Sequence, residues 1–223
     1  DHNYLGGMLT NYNANGNVLD SLSIHHNTWS RIGGRLPEFT CEGGDCDGHT
    51  THAEVACNLY HDQGYEIAYN QSITQGGSGP FTYYVDLNFV NNYYKPGPAI
   101  GNTVILTAQY ENFPGTQQYY YTGNVMPGYH QTNDLTSRTY TGTPQGYNPW
   151  VNAPFFPSYA VIDEVTNAYK RVVSDVGCNQ PRIDDHDSRV IRETLNGTFT
   201  YTGSVSGIPG LPDTTADVGG WED

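Results

Sequence analysis

The stretch Glu54-Val55-Ala56-Cys57-Asn58 is one of four short runs that end in asparagine; the others are 23–27, 88–92 and 120–124. Their final asparagines are spaced by 31, 34 and 32 residues. The runs carry β-branched or aromatic residues at alternate positions, as short strands require. Loops rich in Gly, Pro and Asp separate them. Residues 1–126 therefore contain a loose repeat of one strand and one asparagine.

This repeat is compatible with two architectures, and its periodicity alone does not distinguish between them. In a parallel β-helix, stacked turns of the chain bury a continuous core, and each turn asparagine can bond to those above and below it. In an antiparallel sandwich, asparagine is merely a frequent turn residue. The first architecture predicts that Asn27, Asn58, Asn92 and Asn124 occupy equivalent bends, one strand spacing apart.

The last third of the chain changes to helical spacing. Valine or alanine at 161, 165, 168, 172 and 176 recurs every three or four positions. This spacing predicts a helix over 158–176 with Ser158 as its cap. A second short helix is expected over 187–195, where Asn196-Gly197 would end it.

The predicted organisation has two parts that share one domain. Residues 1–157 would form the strands and loops, and residues 158–223 the helices and a terminal strap. The strap prediction covers 203–221, which is rich in Gly and Pro.

The charge balance excludes two classes of partner. Of 223 residues, 9 are Lys or Arg and 23 are Asp or Glu, which gives a formal net charge of −14. Nucleic-acid binding and docking on anionic membranes both depend on Lys and Arg, so neither partner is expected. The sequence also contains no apolar stretch long enough to span a bilayer.

The composition is typical of extracellular proteins, because Lys is rare and Tyr, Asn, Gly and Thr are abundant. We therefore expect a secreted protein. Its four cysteines are even in number and could form disulfides, with the pairing left open: Cys41, Cys46, Cys57 and Cys178. The sequons at Asn70 and Asn196 are candidate glycosylation sites.

Arg31 and Arg35 are the only cationic side chains, histidine apart, among the first 94 residues, and both lie in one loop. Guanidinium groups bind carboxylates through paired hydrogen bonds, so this loop is a candidate carboxylate-binding site. The alternative is that each arginine pairs with Glu38 or Glu42. No histidine or carboxylate spacing in the chain matches a known metal signature.

His25 and His26 precede this loop. Adjacent residues on a strand point to opposite faces, so one ring is expected in the core and the other at the surface. For the same reason, the two rings are not expected to bind one metal together.

The segment 25–37, which contains His25-His26-Asn27 and Arg35-Leu36-Pro37, resembles the His-His-Asn…Arg-x-Pro block of pectate lyases in polysaccharide lyase family one. Segments 90–98 and 121–124 resemble two further blocks of that family. Segments 168–190 and 218–221 are similar to its carboxy-terminal helices and terminal strap. The resemblance spans nearly the whole chain. It implies an all-β fold, a right-handed parallel β-helix with carboxy-terminal helices and an extended strap.

The family cleaves pectate, the de-methylated polygalacturonate of pectin, by β-elimination, with Ca²⁺ offsetting the charge that develops on the substrate. The resemblance implies that Arg35 is the base, and it assigns Arg31, His26 and Pro37 to substrate binding. It also implies Ca²⁺ as cofactor and an acidic polysaccharide as partner.

The chain departs from the family pattern in three respects. Thr40 stands where many members have a second arginine, and no lysine precedes Lys95. The family's calcium carboxylates belong to units upstream of Asp1, so no metal ligand is expected in this chain. A second chain or segment would then supply the missing amino-terminal units. These departures leave open an alternative, a non-catalytic glycan-binding or structural subunit derived from a pectate lyase.

Overall fold

Short strands and two α-helices make up the part of the chain that the structure describes. The structure is a computed structural model, and it describes residues 3–5, 8–11, 19–41, 48–63, 69–72, 83–98, 103–111, 117–141, 148–177, 179–205, 207 and 212–218. The strands are β1 (Asn3–Leu5), β2 (Met8–Asn11), β3 (Leu22–His25), β4 (Thr28–Ser30), β5 (Ile32–Gly34), β6 (Glu38–Cys41), β7 (Thr50–Ala56), β8 (Leu59–His61), β9 (Tyr69–Ser72), β10 (Tyr84–Val90), β11 (Tyr93–Lys95), β12 (Leu106–Glu111), β13 (Gln117–Thr122), β14 (Arg138–Thr141) and β15 (Trp150–Val151). The helices are α1 (Val165–Asp175) and α2 (Asp185–Asn196).

The pairings between these strands are parallel. Within the described residues the strands form four sheets, in the orders β1-β5, β15-β13-β10-β7-β3, β11-β8-β4 and β14-β12-β9-β6-β2. Neighbours in a sheet lie about one sequence repeat apart; in one register row, Phe89 pairs with Val55 on one side and Tyr121 on the other. An antiparallel sandwich, the second architecture considered above, is therefore excluded.

Strand β10 contributes three positions to the core. Val85, Leu87 and Phe89 alternate along this strand, and all three are fully buried. Val55 of β7 is buried beside Phe89, and the Tyr121 ring of β13 stacks on Phe89 with 5.9 Å between the ring centroids. Branched and aromatic side chains suit these positions because they pack against their neighbours across a pleated surface.

A ladder of asparagines follows the ends of β3, β7, β10 and β13. The Nδ2 atoms of Asn27, Asn58 and Asn92 donate to the Oδ1 atom of the next asparagine at 3.1, 3.1 and 2.9 Å. The backbone N–H groups of the same residues donate to the same oxygens at 3.0, 3.0 and 2.9 Å. Asn124 ends the ladder. The prediction that these four asparagines occupy equivalent bends is confirmed.

The left-handed backbone of each bend falls on the residue before the asparagine. These four residues are His26, Cys57, Asn91 and Gly123, and their φ values lie between 52° and 71°. At Gly123 a Cβ atom would lie 1.6 Å from Oδ1 of Asn91, so any other residue would force the Asn91 side chain to move. The bend therefore leaves each asparagine side chain aligned with the ladder.

We expect Asn92→Leu to lower the free energy of unfolding by about 3 kcal/mol, because it leaves the buried N–H of Asn58 without its acceptor. Urea denaturation measures the change. Asn27→Ala is the control: this residue is exposed at the end of the ladder, so its loss should cost less than about 1 kcal/mol. Equal losses in the two variants would show that the ladder does not stabilise the fold.

Helix α1 begins at Val165, later than the predicted start at 158. Glu164 is its N-cap, and the Ser158 hydroxyl instead donates to a nearby backbone carbonyl. The buried face of the helix packs on the turn after β7, where Ala168 contacts Cys57. The helical spacing therefore predicts this helix, but its cap is Glu164 and not Ser158.

Helix α2 extends the prediction of 187–195 by a few residues. Asp184 caps its first turn through the N–H of Asp187, and Gly197, with φ of 65°, ends it. Neither α-helix in the described residues has the length and apolar character required to cross a bilayer. In the predicted strap, a short 3-10 helix spans Thr215–Val218, whereas 219–223 lie outside the described residues.

The predicted fold class, an all-β right-handed parallel β-helix, is wrong. The described residues form short strands in open parallel sheets together with two α-helices, an α/β-like arrangement, and they show no closed solenoid. The repeat determines which strands are neighbours within a sheet. It does not determine that separate sheets close around a common axis, and the fold prediction had assumed that they do. The boundary between 1–157 and 158–223 stays a prediction.

Cys57 is fully buried with a free thiol, and burial raises the pKa of that thiol to about 11. Cys46 and Cys178 lie outside the described residues, and only the backbone of Cys41 is described. Disulfide formation by the other cysteines therefore stays a prediction, while Cys57 is a buried and unreactive thiol.

The two glycosylation candidates occupy different elements. Asn70 lies in β9, in register with Phe39 and Tyr110 of the flanking strands. Asn196 is the last residue of α2 and is exposed. Glycosylation at either position stays a prediction.

Candidate functional site

Arg35 lies in the turn between β5 and β6. Leu36 and Pro37 are buried and anchor this turn in the interior, while Arg35 adopts a left-handed backbone with φ of 56°. Strand β6 then begins at Glu38, between β2 and β9 of a five-stranded sheet. The turn thus holds Arg35 beside a carboxylate that is fixed in a central strand.

The Arg35 guanidinium is held by that carboxylate. Its Nε atom lies 2.6 Å from Oε2 of Glu38, and the side chains are 27% and 0% exposed. The contact is an ion pair between opposite charges, with the carboxylate buried and the guanidinium partly exposed. Arg35 is therefore the side chain of this pair that is partly exposed to solvent. Pairing with Glu38, one of the two alternatives for this arginine, is confirmed.

His25 and His26 lie next to the segment that leads into α1. The Nδ1 atoms of the two rings are 2.9 Å apart, and Nε2 of His26 lies 2.9 Å from Oδ2 of Asp163. Arg171 of α1 donates to the same oxygen at 2.7 Å. His25 is exposed and His26 is half-buried. The result is a continuous chain of polar contacts from an exposed ring to a guanidinium.

These contacts determine which ring nitrogens carry protons. The hydrogen bond from His26, together with the charge of Arg171, holds the pKa of Asp163 below its usual value, so its carboxylate accepts and His26 donates from Nε2. Between the two rings, one Nδ1 atom donates and the other accepts across the 2.9 Å contact.

Arg31 lies in the interior, in a cluster of charges that joins the β4–β5 turn to α2. Its Nη1 atom is 2.6 Å from Oε2 of Glu193, and the two side chains are 0% and 2% exposed. Arg189 also donates to this carboxylate, at 3.1 Å from both oxygens. Burial lowers the pKa of Arg31, although the charge of Glu193 opposes this effect. The cluster therefore fixes α2 to the sheets.

His61 extends the same cluster. Its Nδ1 atom lies 3.2 Å from the hydroxyls of both Ser30 and Thr194. Burial lowers the pKa of His61 to about 4, so the ring is neutral at pH 7. It connects β8 to α2 through hydrogen bonds rather than through charge.

The predicted site residues are thus divided between surface and interior. Arg35 is partly exposed, and His26 is half-buried and bonded to Asp163. Substrate binding by Arg31 stays a prediction, and in this structure the side chain is fully buried against Glu193. Pro37 is buried as well, so its contribution is to the shape of the turn.

The described residues do not fit a calcium site. Among them, no group of three or more histidines, cysteines or carboxylates is arranged to hold a metal ion. The Asp45 and Asp47 loop lies outside the described residues. A calcium requirement therefore stays a prediction that rests on the resemblance, with its ligands elsewhere than in the described part of the chain.

Sequence reasoning missed Asp163, Arg171, Arg189 and Glu193 as partners of the arginine and histidine block. Asp163 is separated from His26 by 137 residues. A single sequence carries no signal for such pairs, since they depend on where the helices dock. Glu38, only three residues from Arg35, could be named in advance.

Comparison with known proteins does not add a family to these observations. No family model matches the chain, and no curated protein matches it. The function must therefore be inferred from the site itself and from the sequence block that contains it.

Proposed function

We propose that this protein is a polysaccharide lyase that cleaves polygalacturonate by β-elimination, with Arg35 as the base. The observation that carries the proposal is the partly exposed Arg35 guanidinium, oriented by the buried Glu38 carboxylate within the His-His-Asn…Arg-x-Pro block. A base must be held in a fixed position next to the proton that it removes. Arg35 lies on a turn anchored by two buried residues, which meets that requirement.

In the reaction that we propose, one protein group, Arg35, accepts a proton from the substrate. A terminal nitrogen of neutral Arg35 takes the proton from C5 of a galacturonate unit. The electron pair of that C–H bond forms the C4=C5 double bond, and the C4–O4 bond breaks. The leaving oxygen then takes a proton from water. Arg35 ends as a guanidinium and must return its proton to solvent before the next turnover.

The C5 proton is barely acidic while the neighbouring carboxylate carries its charge, so the site must offset the charge that develops. Calcium, when bound, would neutralise the substrate carboxylate. The described residues do not fit calcium. Arg35 itself supplies one positive charge to the product state, because proton transfer converts it to guanidinium.

The second candidate is a non-catalytic glycan-binding protein. The Arg35–Glu38 contact at 2.6 Å favours it in one respect, since a neighbouring carboxylate stabilises the charged guanidinium rather than the neutral base. A permanent guanidinium would bind uronate carboxylates without abstracting a proton.

Two measurements on the same preparation separate these candidates. Incubation with polygalacturonate should produce an increase in ultraviolet absorbance from the new C4=C5 bond, conjugated to the carboxylate. Affinity electrophoresis in polygalacturonate gels should show retardation for either candidate. Retardation without any unsaturated product would favour the binding protein, and the absence of both would reject an acidic glycan as the partner.

We expect the isolated chain to bind calcium only weakly, because no cluster of ligands exists among the described residues. Isothermal titration calorimetry with residues 1–223 measures the affinity. A dissociation constant in the micromolar range would contradict this expectation, and it would point to the loop that contains Asp45 and Asp47.

A further inference from the structure

We propose that His25 and His26 together bind a divalent transition-metal ion that prefers imidazole ligands, such as Cu²⁺. Each ring would contribute its Nδ1 atom, and solvent would fill the remaining positions around the ion. This site differs from the calcium site considered above, because Ca²⁺ prefers oxygen ligands. The inference goes beyond the proposed lyase function and does not depend on it.

The bend after β3 brings the two rings together. His25 is the last residue of β3, whereas His26 has a left-handed backbone with φ of 57°. Adjacent side chains point to opposite faces only where both residues have strand backbone. The turn of the chain at His26 therefore explains why the two Nδ1 atoms lie 2.9 Å apart. It also removes the reason for expecting that the two rings do not share a metal.

The separation of the two nitrogens suits a single ion. Imidazole nitrogens that bind one ion at about 2.1 Å and at right angles to each other lie about 3.0 Å apart. The two Nδ1 atoms are 2.9 Å apart, and the ring planes meet at 86°. One ring has to turn before both lone pairs point at an ion, since the Nδ1 atoms bond to each other. His25 is exposed, so its ring is the one that can turn.

The carboxylate of Asp163 holds the other ring. Its Oδ2 atom lies 2.9 Å from Nε2 of His26, and Arg171 donates to the same oxygen at 2.7 Å. Histidines that bind metals usually donate their second ring N–H to a carboxylate, which orients the ring and makes its other nitrogen a stronger ligand. Asp163 keeps the proton of His26 on Nε2, so Nδ1 is the nitrogen that an ion would bind.

Nuclear magnetic resonance tests the site without relying on activity, because paramagnetic Cu²⁺ broadens the signals of nearby protons. In the full chain, Cu²⁺ below one equivalent should broaden the ring signals of His25 and His26 before those of His52 and His130. The latter two are internal controls, since each ring also contacts a carboxylate. Earlier or equal broadening of either control would overturn the inference, and so would Cu²⁺ that leaves His25 and His26 unaffected.

Substitutions separate a shared ion from a simple pair of hydrogen-bonded rings. We expect His25→Gln to raise the Cu²⁺ concentration that broadens His26 at least about tenfold, since the second ligand of a chelate binds intramolecularly. Asp163→Asn should weaken binding about tenfold, as loss of a carboxylate behind a metal ligand usually does.

Arg171→Met is the matched control, because it removes the arginine but keeps the Asp163 carboxylate. It should weaken Cu²⁺ binding by no more than about twofold. Circular dichroism verifies that each variant is folded. If His25→Gln bound Cu²⁺ as tightly as wild type, the ion would not be shared between the two rings, and the inference would be wrong.

Discussion

Arg35→Lys is expected to lower kcat on polygalacturonate at least about 10²-fold, the usual scale for a positioned acid–base group. Lysine keeps the positive charge, so Glu38 retains an ionic partner and the fold should be little affected. Lysine lacks the planar fork, including the Nε atom that lies 2.6 Å from Oε2 of Glu38. A purely electrostatic role for Arg35 would therefore survive this change, whereas a role as an oriented base would not. Initial rates of unsaturated product formation measure the loss.

The control for this substitution is Arg192→Lys, an exposed arginine on α2. It should leave kcat and KM within about twofold of wild type. Arg31→Lys is unsuitable as a control, because Arg31 is buried and its substitution would disturb the fold. If Arg35→Lys kept kcat within about threefold while the protein still cleaved polygalacturonate, the base would be another residue.

Glu193→Gln should lower the free energy of unfolding by about 3–5 kcal/mol. The substitution keeps the size of the side chain but leaves Arg31 and Arg189, 0% and 5% exposed, without the carboxylate that lies between them. A buried guanidinium that loses its anion retains the full cost of its own desolvation. Urea denaturation at neutral pH measures the difference.

The same carboxylate predicts how stability depends on pH. Burial alone would raise the pKa of Glu193, but the hydrogen bond from Thr200 and the charges of Arg31 and Arg189 outweigh it and hold that pKa below the usual 4.5. A depressed pKa contributes stability that is complete above the unfolded value and is lost as pH falls through the folded value. Wild-type stability should therefore decrease below about pH 4.5, and Glu193→Gln should lack this component.

The control is an exposed ion pair. Arg171→Met removes the partner of Asp163 at a side chain that is 60% exposed, so it should cost less than about 1 kcal/mol. If Glu193→Gln cost no more than Arg171→Met, the buried cluster would not be what secures α2 to the sheets.

The sequence predicted contacts between close or evenly spaced residues, and it failed for those that depend on packing. The ladder from Asn27 to Asn124 was predictable because the asparagines recur at nearly constant spacing. The Arg35–Glu38 pair could be predicted because the two residues are three positions apart in the sequence. The burial of Arg31 was not, since its partner lies on a helix whose docking position no local pattern specifies.

The error in fold class has the same origin. Parallel pairing at a constant offset describes neighbours in one sheet, and the alternating burial of Val85, Leu87 and Phe89 describes one face of that sheet. Neither observation describes how separate sheets are connected. The repeat allowed closure into a solenoid as one of two architectures and the resemblance favoured it, but the described residues do not show it.

The asparagine ladder also has a consequence for the order of folding. Its steps join residues 31, 34 and 32 positions apart, so each new strand closes a chain loop of nearly the same size. The His26–Asp163 contact closes a loop of 137 residues when it forms alone, which costs about 1.3 kcal/mol more in chain entropy than one ladder step. Once the strands are stacked, most of that loop is already closed. The strands should therefore pair first, one after another, and the helices should dock last.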